Sequence, residues 1–255
     1  MAILEVLANS RAGQTLSELS RLLGLPKSST HRLLITLEAG GYLYRNAETG
    51  RYYFSLKLFT IANMALGRTS LREQTEPVLY SLMRKTGLTV HIAILEQNQA
   101  FIIDKIEPPG FPRLGTWIGK SMDLHCTGVG KAFLAYLPEE ERVHALRNGM
   151  PRYNDNTITS PRKLKAQLDE IRRAGYAVDD EEETIGLRCV GVPILDSANR
   201  PIAAISIAGT ISQITEDNVE ALASVVRKCA TTISERLSRS PDRDMTQASE
   251  RTGSD

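Results

Sequence analysis

The densest run of reactive side chains is His125-Cys126-Thr127-Gly128-Val129-Gly130-Lys131, where a base, a thiol, two glycines and a lysine stand almost side by side. A phosphate loop is the first chemistry to test. It needs glycine five residues before the glycine that precedes the lysine, and Ser or Thr after the lysine; those positions hold His125 and Ala132. The dinucleotide fingerprint fails too, because Phe133 stands where the third glycine belongs. What remains is a turn entering a helix at residues 127–130. The first N–H groups of a helix lack intrahelical acceptors, and glycine leaves them open to a carboxylate. The same glycines would equally let the helix pack closely on a strand, and spacing alone does not choose between the two uses.

Cys126 and Cys189 invite a nucleophile reading, with His125 or His91 as base. Neighbours on a strand point to opposite faces, so His125 is badly placed to activate Cys126. A buried cysteine is otherwise a small hydrophobe. Three widely spaced cysteines (126, 189 and 229) exclude a disulfide framework and a paired-cysteine zinc site. The acidic run Asp179-Asp180-Glu181-Glu182-Glu183 lacks the spacing of a calcium loop and reads as a solvated loop. No metal or cofactor is expected. His144 falls on a surface helix and is assigned no role. Trp117, the only tryptophan, either lines the entrance of a ligand site at the glycine turn or belongs to the core.

The elements that hold these residues divide the chain in two. Near the N-terminus, Thr15-Leu16-Ser17-Glu18 is a capping box, followed by leucines at helical spacing and a stop at Gly24-Leu25-Pro26. A second helix restarts between Pro26 and Ser29, with Thr30, Leu33, Leu34 and Leu37 on one side, and Gly40-Gly41 ends it. Aromatic runs at 42–45 and 51–54 flank an Asn/Gly-containing loop and predict a hairpin. Together these make a winged helix-turn-helix over residues 1–55. A linker helix over 56–66, a hinge to residue 73 and a mixed α+β domain over 74–238 follow. In that domain helices are expected at 76–85, 127–136, 139–147, 161–173 and 215–237. Strands are expected at 89–96, 100–106, 177–178, 189–195 and 202–210. The polar tail, 239–255, is expected to be disordered.

Of the 255 residues, 42% are hydrophobic and 24% charged, and 31 Lys plus Arg face 30 Asp plus Glu. That balance excludes a polybasic coat for nucleic acid but leaves room for a local basic face. No apolar stretch approaches the ~20 residues of a membrane helix, and no basic start with a long apolar core opens the chain. A cytoplasmic location without membrane partners is expected. Residues 1–55 carry six Lys/Arg against four Glu. On the second helix Lys27, Ser28, Ser29, Arg32 and Thr36 lie off the apolar side, and these residue types reach phosphates and base edges in a major groove. Arg32 is the candidate for a bidentate contact with guanine. Arg45 and Arg51 on the wing are candidates for the flanking backbone or minor groove. A helical module for protein contacts, with Arg32 merely solvated, is the competing explanation.

Residues 15–24 (TLSELSRLLG), 25–42 (LPKSSTHRLLITLEAGGY), 124–135 (LHCTGVGKAFLA), 175–182 (GYAVDDEE) and 186–209 resemble, in order and spacing, the isocitrate-lyase-regulator (IclR) family of bacterial transcription factors. The resemblance implies a GAF-like second domain that binds a small carboxylate such as a keto acid, sugar acid or aromatic acid. By position it implies a pocket of Gly128 and Val129 at a helix start, walled by Asp179, Leu187, Cys189 and Ser206. Where many members carry a second serine, this chain has Ala208. The resemblance further implies homodimers that pair into tetramers, a palindromic operator in double-stranded DNA, and either repression or activation. Two other functions compete with a ligand-responsive regulator. One is a thiol-dependent enzyme using Cys189 or Cys126. The other is a DNA-binding scaffold whose second domain only dimerises.

Overall fold

A computed structural model describes residues 2–239 except 9, 11, 68, 69, 111–113 and 148. It divides the chain into two compact units, residues 1–69 and 70–255. The disorder expected for the tail falls, from residue 240, outside the described residues.

The first unit runs α1 (Ala2–Ala8), α2 (Leu16–Leu23), α3 (Lys27–Ala39), β1 (Leu43–Arg45), β2 (Tyr52–Phe54) and α4 (Leu56–Gly67). The capping box forms as the sequence requires: Glu18 N–H donates to Thr15 Oγ1 at 3.3 Å, and Thr15 N–H donates to Glu18 Oε2 at 2.8 Å. Gly24 ends α2 in the left-handed region, at φ 63°. Ile3, Leu7, Leu19, Leu34, Leu43 and Tyr52 form the core of this unit. Leu33 departs from expectation: it is 47% exposed, and only Thr30 and Leu34 of α3 are buried. The wing is short, with three residues per strand, and Gln14 extends it by exchanging backbone hydrogen bonds with Tyr52.

The second unit runs α5 (Ser70–Thr86), β3 (Thr89–Glu96), β4 (Gln99–Ile106), β5 (Ser121–Met122), α6 (Gly128–Tyr136), α7 (Glu139–Ala145), α8 (Pro161–Ala174), β6 (Ala177–Asp180), β7 (Leu187–Leu195), β8 (Pro201–Thr210) and α9 (Val219–Arg239). The six strands form one antiparallel sheet in the order β5-β4-β3-β8-β7-β6. Gln97 and Asn98, with φ of 48° and 63°, supply the two left-handed positions that a tight β3–β4 hairpin needs. Helix α6, backed by α8, packs on the sheet, and so do α5 and α9. Residues 203–209 of β8 are all buried, as a strand covered on both faces must be.

Several boundaries differ from the sequence expectation, three of them at the start of an element by two residues or more. Residues 70–73, expected to be hinge, are the first turn of α5, which begins at Ser70 rather than 76 and carries Pro77 inside it. Helix α9 begins at Val219 rather than 215, because Thr215 and Asn218 cap each other's backbone N–H groups. Strand β7 begins at Leu187, two residues early.

Helix α6 approaches β7 so closely that a Cβ on Gly191 would lie 2.2 Å from the carbonyl oxygen of Gly128. Backbone cannot yield there as a flexible side chain can. Gly191→Ala is therefore expected to lose more than about 3 kcal/mol, at or beyond the top of the usual range for overpacking. Urea denaturation checks this, and a loss under about 1 kcal/mol would show that α6 can shift.

Candidate functional site

Register builds the cavity of the second unit. Alternate residues of a strand share a face, so Leu187, Cys189 and Gly191 of β7, Ser206 and Ala208 of β8 and His91 of β3 present to α6. Across the strands, Asp179 stands opposite Cys189, Cys189 opposite Ala208, and Ser206 opposite both Gly191 and His91. The start of α6 closes this floor, leaving a cavity of about 180 Å³. All six residues implied by the resemblance (Gly128, Val129, Asp179, Leu187, Cys189 and Ser206) border it, together with Ala208. The sequence did not single out His91, Thr116, Lys120 or Glu183 as pocket residues, yet they border it too. The Thr-x-His-x-Ala alternation at 89–93 was the available signal for His91.

Thr127 caps α6 by accepting from Gly130 N–H at 3.1 Å, and Lys131 N–H reaches the Thr127 carbonyl. Gly128 and Val129, which carry the two N–H groups ahead of these, border the cavity. The packing use of the glycines is realised: Gly128 is pressed on Cys189 and Gly191, and Gly130 on Asp123 and Leu124, while Gly128 and Val129 also border the cavity.

Burial, reinforced by the charges of Lys105 and Lys120, holds the His91 imidazole down to about 3, so it is neutral. Its Nε2 lies 2.9 Å from Thr116 Oγ1. Burial pushes the Asp179 carboxyl up to about 7 against the pull of Lys131 and of a hydrogen bond from Glu182 N–H. At the edge, Lys120 Nζ lies 3.4 Å from Glu183 and 5.6 Å from the Trp117 ring. Trp117 is 61% exposed, which overturns its reading as core.

The acidic run is not a solvated loop. Asp179 and Glu182 are buried, and Glu182 is paired with Lys131, whose side chain has no exposed surface at all. Thr157 Oγ1 and Asn154 Nδ2 donate to the Glu182 carbonyl at 2.7 and 3.1 Å. The cysteines do not form a nucleophilic pair with a base. Cys126 lies in a turn rather than a strand, and burial pushes its thiol well up. His125 is engaged elsewhere, with Nε2 2.9 Å from the Pro151 carbonyl. Burial also raises the Cys189 thiol, which faces a carboxyl.

On the first unit, Lys27, Ser28, Ser29, Arg32 and Thr36 are exposed along α3. Pro26 offers no side-chain cap, so the helix start is open. Thr36 Oγ1 donates to the Arg32 carbonyl at 3.0 Å, while no protein acceptor holds the Arg32 guanidinium among the described residues. Arg45 is exposed on β1, with its guanidinium 5.8 Å from the Tyr52 ring centroid. Arg51 is otherwise committed. It grips both Glu18 oxygens at 3.0 and 3.1 Å and the Gly13 carbonyl at 2.9 Å, tying the wing to the capping box. That commitment competes with the DNA contact expected of it.

Lys131→Met strands a buried carboxylate and is expected to lose about 3–5 kcal/mol, much of it restored by Lys131→Met with Glu182→Leu. Urea denaturation of the single and double variants checks this, and an additive double loss would contradict it. Between its ordinary value of 3.8 and about 7, folded Asp179 keeps a proton that the unfolded chain has lost. Raising pH through that window therefore costs wild-type stability. Asp179→Asn keeps the acceptor for Glu182 N–H and loses this dependence, so its stability relative to wild type should rise from pH 4 to 7 and level off above. Parallel curves would mean that Asp179 is ionised throughout.

The model of the IclR helix-turn-helix domain matches residues 1–47, and that of the bacterial transcriptional regulator IclR C-terminal domain matches residues 63–235. The chain is 39% identical over 233 residues to the transcriptional repressor IclR of Escherichia coli, covering 90% of this chain and 85% of that one. It is 34% identical to the HTH-type transcriptional repressor AllR of Klebsiella pneumoniae, covering 96% and 90%. The structure superposes on Thermotoga maritima IclR with a TM-score of 0.77 at 33% identity over 92% of this chain and 96% of that one. An IclR homologue from Microbacterium hydrocarbonoxydans complexed with 4-hydroxybenzoate shares the fold, with a TM-score of 0.80 at 24% identity over 93% and 97%. A helix-turn-helix unit with an exposed second helix, a second unit with a walled cavity, and repressors as relatives over 90% or more of the chain place it in the IclR family of bacterial transcriptional regulators.

Proposed function

We propose that the chain binds a palindromic operator as a dimer or tetramer in the cytoplasm, and that a small carboxylate entering the second unit alters that binding. Arg32, exposed on α3 and without a protein acceptor for its guanidinium among the described residues, carries the DNA half. With α3 in the major groove, Arg32 meets guanine, Thr36 lies one turn on, and Lys27, Ser28, Ser29 and the open helix start meet phosphate. Arg45 on the wing serves the flanking backbone. A palindrome needs two such heads about 34–36 Å apart. Helix α4 offers a surface for pairing them, since Leu56, Phe59, Ile61 and Met64 are all exposed, with Leu56 at 82%.

In the cavity, Gly128 and Val129 N–H groups and the Ser206 hydroxyl bind the carboxylate oxygens, while Leu187, Val129 and Ala208 receive the apolar part. Protonated Asp179 donates where ionised Asp179 would repel an anion. Its poise near 7 makes carboxylate binding weaken as pH rises past neutrality. About 180 Å³ suits a compact keto, sugar or aromatic acid. The 4-hydroxybenzoate bound by the M. hydrocarbonoxydans homologue is one such acid.

The test is fluorescence anisotropy against the duplex upstream of the chain's own gene and a shuffled duplex, at two salt concentrations. Wild type is expected to prefer the native duplex by at least about 10³-fold. Arg32→Ala is expected to lose that preference while keeping weak, salt-dependent binding and an unchanged melting curve. A variant that discriminates as well as wild type would remove Arg32 from the interface. Keto, sugar and aromatic acids added to the same titration should shift operator affinity, and no shift with any of them would make the second unit a scaffold.

A further inference from the structure

Along α3, Ser28, Arg32, Ile35 and Ala39 recur at intervals of three and four residues and are all exposed, so they form one stripe. The stripe lies opposite the buried Thr30 and Leu34. Ile35 sits at its centre, beside Arg32, and is 49% exposed. Its branched side chain has no counterpart in the core of this unit, where the residues packed together include Leu34 and Leu37 but not Ile35. A β-branched residue is also a weaker helix former than most, so neither packing nor propensity accounts for it. Leu33, the other large exposed apolar residue of α3, falls on the flank, a quarter-turn or more from Arg32 and Ile35.

A helix face lying in the major groove meets one apolar feature on the bases, the 5-methyl group of thymine. We infer that Ile35 is a specificity-determining residue that reads a thymine methyl next to the base pair contacted by Arg32. This rests on the DNA-binding function proposed above and adds a readout that arginine and serine cannot supply. Arg32 selects by hydrogen bonding and Ser28 holds phosphate; Ile35 selects by excluding water from a methyl group, so its contribution does not weaken with salt as a phosphate contact does.

The experiment begins with selection of duplexes from a randomised pool by the full-length wild-type protein. Each thymine of the resulting consensus is then replaced by uracil, which keeps the base pairing and removes only the methyl group. Affinities are measured for wild type, Ile35→Val and Ile35→Ala by fluorescence anisotropy. One thymine per half-site is expected at which uracil costs wild type about fourfold, the equivalent of one buried methyl group. Ile35→Val should keep most of that penalty, and Ile35→Ala should bind the thymine and uracil duplexes equally. Alanine at an exposed helix position favours the helix, and a melting curve confirms that the head is folded. A consensus with no uracil-sensitive thymine, or the same penalty in Ile35→Ala, overturns the role of Ile35 while leaving the DNA-binding function standing. A pool that yields no consensus overturns both.

Discussion

The buried ion pair between Lys131 and Glu182 is the constraint on which the second unit's site depends. Lys131 belongs to α6, whose first turn is one wall of the cavity, and Glu182 to the segment between β6 and β7, which is the facing wall. Neither charge has water to return to, since both side chains are almost wholly enclosed. Separating them would leave two bare charges in a medium that solvates neither. The backbone of the segment is fixed as well: Asp179 accepts from Glu182 N–H, and Thr157 and Asn154 hold the Glu182 carbonyl. Asp179, Glu183 and Leu187 thus take their places at the cavity because the pair between them and α6 is locked. Apolar residues of equal volume would hold the two elements together at least as strongly, but without fixing their register.

That locked frame sets the protonation of the cavity. Burial works on two groups of opposite type with the same outcome, a neutral imidazole at His91 and a carboxyl at Asp179 that keeps its proton to about neutrality. The linkage signs oppose one another. The folded state binds fewer protons than the unfolded chain at His91 as pH falls from 6.5 toward 3, which removes stability on acidification. It binds more at Asp179 between 3.8 and 7, which adds stability on acidification. Over the shared window of roughly pH 4–6.5 the two contributions cancel in large part, so the cavity can keep uncharged groups on its floor without a steep pH dependence of folding. The remaining fixed charges nearest the cavity, Lys120 and Glu183, neutralise each other at its edge.

Elements written in local chemistry were legible in the sequence, and those written in long-range pairing were not. The capping box at Thr15–Glu18, the stop at Gly24 and the cap at Thr127 each complete their hydrogen bonds within a few residues. The acidic run was misread because its burial depends on Lys131, 51 residues away in the chain, and five consecutive carboxylates look solvated until such a partner is known. Arg51 looked free for the same reason, its partner Glu18 lying 33 residues back. The start of α5 was missed in the other direction: the helix expected from residue 76 begins at Ser70 and carries Pro77 inside it. His91 needed the sheet register, which sets it opposite Ser206.

Ligand control over a DNA-binding head requires that the ligand bind two arrangements of the protein unequally. The second unit begins with α5, so the groups that hold the first turns of α5 bear on what the cavity can pass to its own N-terminal end. Arg72 pairs with the buried Asp104 of β4 at 3.4 Å, and Arg236 of α9 donates to the Gln74 carbonyl at 3.1 Å. Asp104 is followed in β4 by Lys105, which points to the other face of the sheet, stands opposite His91 and donates to the Thr116 carbonyl at the cavity. Adjacent residues of one strand therefore hold the cavity floor on one side and the start of α5 on the other. A strand clamped on both faces cannot tilt at one without moving at the other, because packed interiors do not absorb displacement. Strand β4, rather than helix α6 at the cavity, is the element whose position both ends of the second unit share.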